Sequence, residues 1–211
     1  MNEFGLFIEL ALLALAFATA LWLRPWRLFA DGRLITPTLG TLALLPWLWA
    51  LPTLHPMPLQ LRWSGACLVV LLLGWPLAVP ILILAALLAW VIAPAFTLAD
   101  VIGVSFWQGL LPATLALALG AALRRLFGTH LFIYLLGRAF LGTVICIFTA
   151  GIIQAWVNAD TPTFDSGLPL VARWLLAWGD GIVTGMITTL FVAFIPQWLA
   201  TWSDALYIDK P

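Results

Sequence analysis

Charge is scarce in this chain of 211 residues: nine basic and nine acidic side chains make up 9% of it and cancel. Soluble domains carry about 25% charged residues, so a soluble enzyme is excluded, and 64% hydrophobic residues exclude a disordered chain. The lack of any positive excess leaves nothing for nucleic acid to bind. Cysteine and histidine are scarce too, two of each. Cys67 and Cys146 both lie inside apolar runs, so a structural disulfide is not expected. There is no Walker sequence, no CxxC pair and no haem-attachment sequence. Nor is there an acid–base pair or a metal triad. An enzyme is therefore not expected, and any ATP-driven process would need another chain to hydrolyse the nucleotide.

What the chain has instead is long apolar runs, with a mean hydropathy of +1.11. Residues 62–93 contain one full charge, Arg62, at the very start. That run is too long for one span of about 20 residues, and Gly74-Trp75-Pro76 interrupts it. It reads as two short spans joined by a tight turn. The expected spans are 4–23, 36–52, 63–75, 77–94, 101–122, 131–157 and 169–197. All are helices, because a lone strand in hydrocarbon leaves its backbone unpaired, and the period-2 alternation of a membrane barrel is missing. The predicted fold is an all-α integral membrane protein, a bundle of about seven transmembrane helices forming one domain over 1–211. Many tryptophans fall near span ends (Trp22, Trp26, Trp63, Trp156, Trp174, Trp198, Trp202), as in an interfacial aromatic belt. The first apolar run has no positive segment before it, so it reads as a permanent span rather than a cleaved signal.

Loop charges orient the bundle. Arg24, Arg27 and Arg33 follow span 1; Arg124, Arg125 and His130 lie between spans 5 and 6. With seven spans both loops share one side. The opposite loops hold His55, Asp100 and the acidic stretch 158–167, with Arg62 the one dissenter. The positive-inside rule then places the N-terminus outside and the C-terminus in the cytoplasm of a bacterial inner membrane.

Four charges fall inside spans: Glu9, Arg138, Arg173 and Asp180. Each costs at least about 2.5–3.5 kcal/mol to insert, so each needs a structural or functional reason. Depth counting puts Glu9, Arg173 and Asp180 in the outer half with Arg62, and Arg138 in the inner half. Structural pairs of Glu9 or Asp180 with Arg62 or Arg173 are one reading; snorkelling of the arginines is another. The functional reading is a polar outer pocket formed by Glu9, Arg62, Ser105 and Asp180. Metal ligands are few: His55, Met57 and Cys67 are the candidates on one side, short of the three or four convergent groups a strong site uses. Small residues recur at helical spacing: Ala11, Ala14 and Ala18, Ala16 and Ala20, Gly109 to Gly120, and Gly181 with Gly185. Such stripes let helices approach closely in lipid, either within this subunit or, through Ala14, Ala16, Ala18 and Ala20, against a partner membrane subunit.

The ending GDGIVTGMITTLFVAFIPQWLATWSDALYI, the segment LRWSGACLVVLLLGWPLAV and the segment VIGVSFWQGLLP together resemble CbiM-like membrane proteins. These are the substrate-binding permease components of energy-coupling-factor importers for cobalt and nickel. The resemblance implies a pocket for a transported metal ion or metal chelate. It also implies a transmembrane coupling subunit and cytoplasmic ATPases as partners. Metal-binding members begin Met-His, whereas this chain begins Met1-Asn2-Glu3; a family histidine falls on Arg62 and a family asparagine on Ser105. A guanidinium cannot become a ligand. The resemblance therefore implies a divergent branch whose metal site is degenerate. Its alternative is a membrane scaffold or assembly factor that keeps the fold and transports nothing.

Overall fold

The computed structural model describes residues 3–29, 31–54, 63–157, 168–203 and 207. They form an all-α bundle. Helix α1 spans Glu3–Trp22, α2 Ile35–Leu54, α3 Ala66–Leu73 and α4 Trp75–Ile92. Helix α5 runs over Leu98–Phe127, α6 over Ile133–Val157 and α7 over Leu168–Phe194. Six of these are long and apolar enough to cross a bilayer. Their outer faces carry exposed Phe7, Leu15, Trp22, Val91, Phe132 and Phe194, which is stable only against lipid. The chain is thus a multi-pass membrane protein.

The third expected span differs. Residues 63–65 are not helical, and α3 has only eight residues, about 12 Å at 1.5 Å per residue. That is less than half a hydrocarbon core of about 30 Å. The predicted helix over 63–75 is therefore a half-helix preceded by irregular backbone. Such backbone survives at membrane depth only where protein surrounds it, and all eight residues of α3 are buried. Gly74 ends α3 at φ +74° and starts α4, with Pro76 in the first turn of α4. The expected turn at Gly74-Trp75-Pro76 is where the sequence places it.

Local signals set the other boundaries. Thr97 and Asp100 start α5 with a reciprocal cap: the Asp100 carboxylate accepts the Thr97 amide at 2.9 Å, and the Thr97 hydroxyl accepts the Asp100 amide at 3.2 Å. Gly128, at φ +75°, ends that helix after Arg124 and Arg125. The middle of α5, Val104–Leu110, and the start of α6, Ile133–Leu141, are π-helical. Helices α2 and α4 pack together, as do α6 and α7, while α1 lies at the edge with 17% of Gly5–Trp22 buried. The α6–α7 contact is built on small residues. A Cβ at Gly181 would stand 2.5 Å from Val144 Cγ2, and one at Gly185 3.1 Å from Phe140 Cβ. The Gly181 and Gly185 pair thus serves packing within the subunit.

Candidate functional site

The bundle's polar centre is built around the start of α3. Asp180, fully buried at the thirteenth of the 27 residues of α7, accepts the amides of Ser64 and Gly65 on Oδ2 at 3.1 and 3.2 Å. Its other oxygen faces the Thr184 hydroxyl at 3.5 Å. A helix N-terminus carries unpaired N–H groups and partial positive charge, so a carboxylate there satisfies donors that lipid cannot. Carbonyls of the same segment are met by α2: the Trp49 indole donates to Trp63 O at 3.0 Å and Ser64 O at 3.2 Å. The Ser64 hydroxyl donates to Gln108 O at 2.6 Å and accepts the Ala66 amide at 3.2 Å. Gln108 O is available because Pro112, four residues on, has no N–H to return to it.

The far end of α3 is closed by chain that follows α7. The Ala200 amide donates to Leu72 O at 2.9 Å, and the Thr201 hydroxyl to Leu71 O, also at 2.9 Å. Helix α3 therefore lies beside the second half of α7, pointing the same way, anchored at both ends.

Glu9 belongs to a neighbouring arrangement on the same turn of α5. It is 5% exposed, and its Oε1 accepts the Trp107 indole N–H at 2.7 Å. Trp107 and Gln108 are consecutive, so one π-turn links Glu9 on α1 to Ser64 and hence to Asp180. Ser105 is in the same turn, 2% exposed. Among the described residues, Glu9 Oε2 and Ser105 Oγ have no hydrogen-bond partner. Glu9, Ser105 and Asp180 are thus gathered around Val104–Leu110. Asp180 is taken up by backbone amides, whereas Glu9 and Ser105 each keep a free polar atom.

The other candidates are placed as follows. Arg62, His55 and Met57 lie outside the described residues. Arg173 donates to Gly151 O at 3.1 Å and to Gln154 Oε1 at 3.2 Å. The expected pairing of Arg173 with an acid is therefore replaced by neutral partners on α6. Arg138 is buried against Gly120 and stacks 5.7 Å above the Tyr134 ring, which packs on Trp202 and Tyr207. It is enclosed by aromatic groups rather than snorkelling. Cys67 is buried at the start of α3; among the described residues no three His, Cys, Asp or Glu side chains converge. The α1 alanines divide: Ala14 and Ala18 are exposed, Ala20 is fully buried and Ala16 lines a groove of about 350 Å³ between α1 and α5. Sequence reasoning missed Trp49, Ser64 and Trp107, the three side chains that hold this centre together. The one local signal was Ser64-Gly65 ahead of an unbroken apolar run, a helix-start pattern.

Comparison with protein-family models, with characterised proteins and with solved structures finds no match to this chain.

Proposed function

We propose that this chain is the membrane-embedded substrate-binding permease component of an energy-coupling-factor-type ABC importer in a bacterial inner membrane. The observation that carries the reading is the pair of buried, unpartnered polar atoms, Glu9 Oε2 and Ser105 Oγ, around one π-turn beside the start of α3. Buried polar groups in native proteins are nearly always hydrogen-bonded, and π-turns inside α-helices are frequent at functional sites. Two orphans, Ser105 in this turn and Glu9 on α1 packed against it, mark a place where a solute completes the hydrogen bonding. Arg62, three residues before Gly65 in sequence, adds a cation, so the solute class is an anion or a metal chelate rather than a bare divalent ion. Docking onto a coupling subunit would use the exposed Ala14 and Ala18 face of α1, and ATP hydrolysis would belong to separate cytoplasmic ATPases.

A second reading is a scaffold or assembly factor that has kept the fold and lost the substrate. It is favoured by Asp180 being taken up by the α3 amides. Affinity purification of the tagged chain in mild detergent, followed by mass spectrometry, separates the two. Recovery of an ATPase pair with a membrane coupling subunit supports the importer; recovery of a different membrane complex without ATPases replaces it with the scaffold.

The importer reading fixes an orientation as well. A reporter fused after Pro211 is expected to be active only in the cytoplasm; activity from an outside-specific reporter at that position refutes the orientation.

A further inference from the structure

Arg138 is the one full charge in the span Ile133–Val157, and it is 9% exposed. The groups that the structure sets against it are neutral. A Cβ at Gly120 on α5 would stand 2.6 Å from Arg138 Nε and 2.9 Å from Cζ, so glycine there leaves room for the guanidinium. The Tyr134 ring lies 5.7 Å from Cζ and packs on Trp202 and Tyr207. Among the described residues, Nε and Nη1 have no hydrogen-bond partner. Nε carries one N–H and Nη1 carries two, so three of the five guanidinium donors are unmet.

A guanidinium cannot shed its proton, and a buried ion is costly unless it is paired. A position that served packing alone would be apolar. The face of Tyr134 attracts the cation but has no negative charge to neutralise it. Arg138 also lies in the second π-helical stretch, Ile133–Leu141, a distortion frequent at functional sites. The α5–α6 seam that holds it leads to the charged end of α5. Cβ atoms at Gly142 and Gly137 would stand 3.0 and 3.6 Å from Leu119 and Leu123. Arg124 follows Gly120 by one turn on the same face of α5 and is exposed, as is Arg125. A buried cation thus lies behind an exposed one along one helix face. Basic pockets of this kind between membrane helices take the head groups of anionic lipids, and the guanidinium fork matches phosphate.

We propose that Arg138, with Arg124 at its approach, binds a phosphate group at the α5–α6 seam, supplied by the head group of an anionic phospholipid. The phosphate oxygens accept the unmet N–H donors and neutralise the buried charge, while the acyl chains stay in the bilayer. Gly120 is a positioning residue, since any side chain there would push the guanidinium out of the seam. The site is separate from the polar centre at the start of α3 and stands whether or not the chain belongs to an importer.

The test is native mass spectrometry of the delipidated full-length chain in detergent, titrated with phosphatidylglycerol, with phosphatidylcholine and with inorganic phosphate. One tightly held phosphatidylglycerol per chain is expected, retained in preference to phosphatidylcholine and not displaced by inorganic phosphate. Displacement by inorganic phosphate supports the phosphate site and makes its source soluble instead of lipid. Arg138→Gln is expected to weaken retention by more than about tenfold, the loss of a hydrogen bond to a charged group. Two exposed variants keep the test open where Arg138→Gln does not fold. Arg124→Gln is expected to weaken retention, whereas Arg125→Gln, which removes the same charge from a different face, is expected to stay within about twofold of wild type. Equal retention of the two lipids, undiminished binding by folded Arg138→Gln, or equal losses at Arg124 and Arg125 overturns the site.

Discussion

Asp180→Leu is expected to strip the bundle of the acceptor that holds the start of α3. The Ser64 and Gly65 amides, bonded to Asp180 at 3.1 and 3.2 Å, then face neither water nor another acceptor. An unsatisfied buried donor costs about 1–3 kcal/mol, so the two together cost roughly 2–6 kcal/mol. The lost attraction between the carboxylate and the helix N-terminus adds to this. In a chain of this length that corresponds to a fall in melting temperature on the order of 10 °C. Asp180→Asn keeps a carbonyl oxygen and is expected to lose about half as much. Thermal unfolding of the purified protein in detergent, followed by loss of the monodisperse peak in size exclusion, measures both. A leucine variant that melts within about 2 °C of wild type would show that α3 is held by something else.

Gly181→Leu carries the second large effect, for a steric reason. A Cβ at that position would stand 2.5 Å from Val144 Cγ2 and 3.2 Å from the Phe140 carbonyl oxygen. Val144 can be trimmed, but the carbonyl belongs to the α6 backbone and cannot rotate away. Overpacking of this kind costs typically about 1–3 kcal/mol, and a leucine at the α6–α7 seam is expected to reach the top of that range or pass it. Gly181→Ala is expected to lose less and to recover in part when combined with Val144→Ala, which removes the closest contact. Gly181→Leu is expected to recover little in the same background. Gly179→Ala, where a Cβ would meet nothing within 4 Å, is the control and is expected to melt with the wild type. Equal losses at Gly179 and Gly181 would mean that close approach at Gly181 is not what matters, because alanine is the better helix former and helix propensity cannot account for a loss.

The long helices were legible because lipid imposes length and apolarity on each crossing, and both can be counted along a sequence. The third passage was not legible, because the residues of 63–75 are as apolar as those of a full helix. What keeps 63–65 from being helical is a set of partners contributed from elsewhere: Trp49, Gln108 and Asp180. Depth counting brought Asp180 to the level of the start of this segment, and the expected partner was the side chain of Arg62 or Arg173. The partners found are the amides two and three residues further along. Composition ranks charges against charges and has no way to weigh a backbone left bare by a broken helix. Glu9 shows the same bias, since its partner is the indole of Trp107. The division of the α1 alanines, in contrast, lay in the spacing, although the four were grouped as one docking set. At 3.6 residues per turn Ala14 and Ala18 share one face and Ala16 and Ala20 another, so the four never form a single stripe.

The anchoring of α3 also sets an order of events during synthesis. Ser64 and its acceptor Asp180 are separated by 116 positions. At about 5–20 residues per second, α7 follows the half-helix out of the ribosome by roughly 6–23 s. Through that interval the stretch ahead of Ala66 has no acceptor for its amides, and eight apolar residues cannot hold a crossing alone. Helices α1 and α2 can settle in the bilayer as they arrive, but α3 must wait at the membrane surface or within the insertion machinery until the last helix comes. Maturation of this bundle is therefore closed from the C-terminal end, and a nascent chain stalled before α7 carries an unfinished third passage.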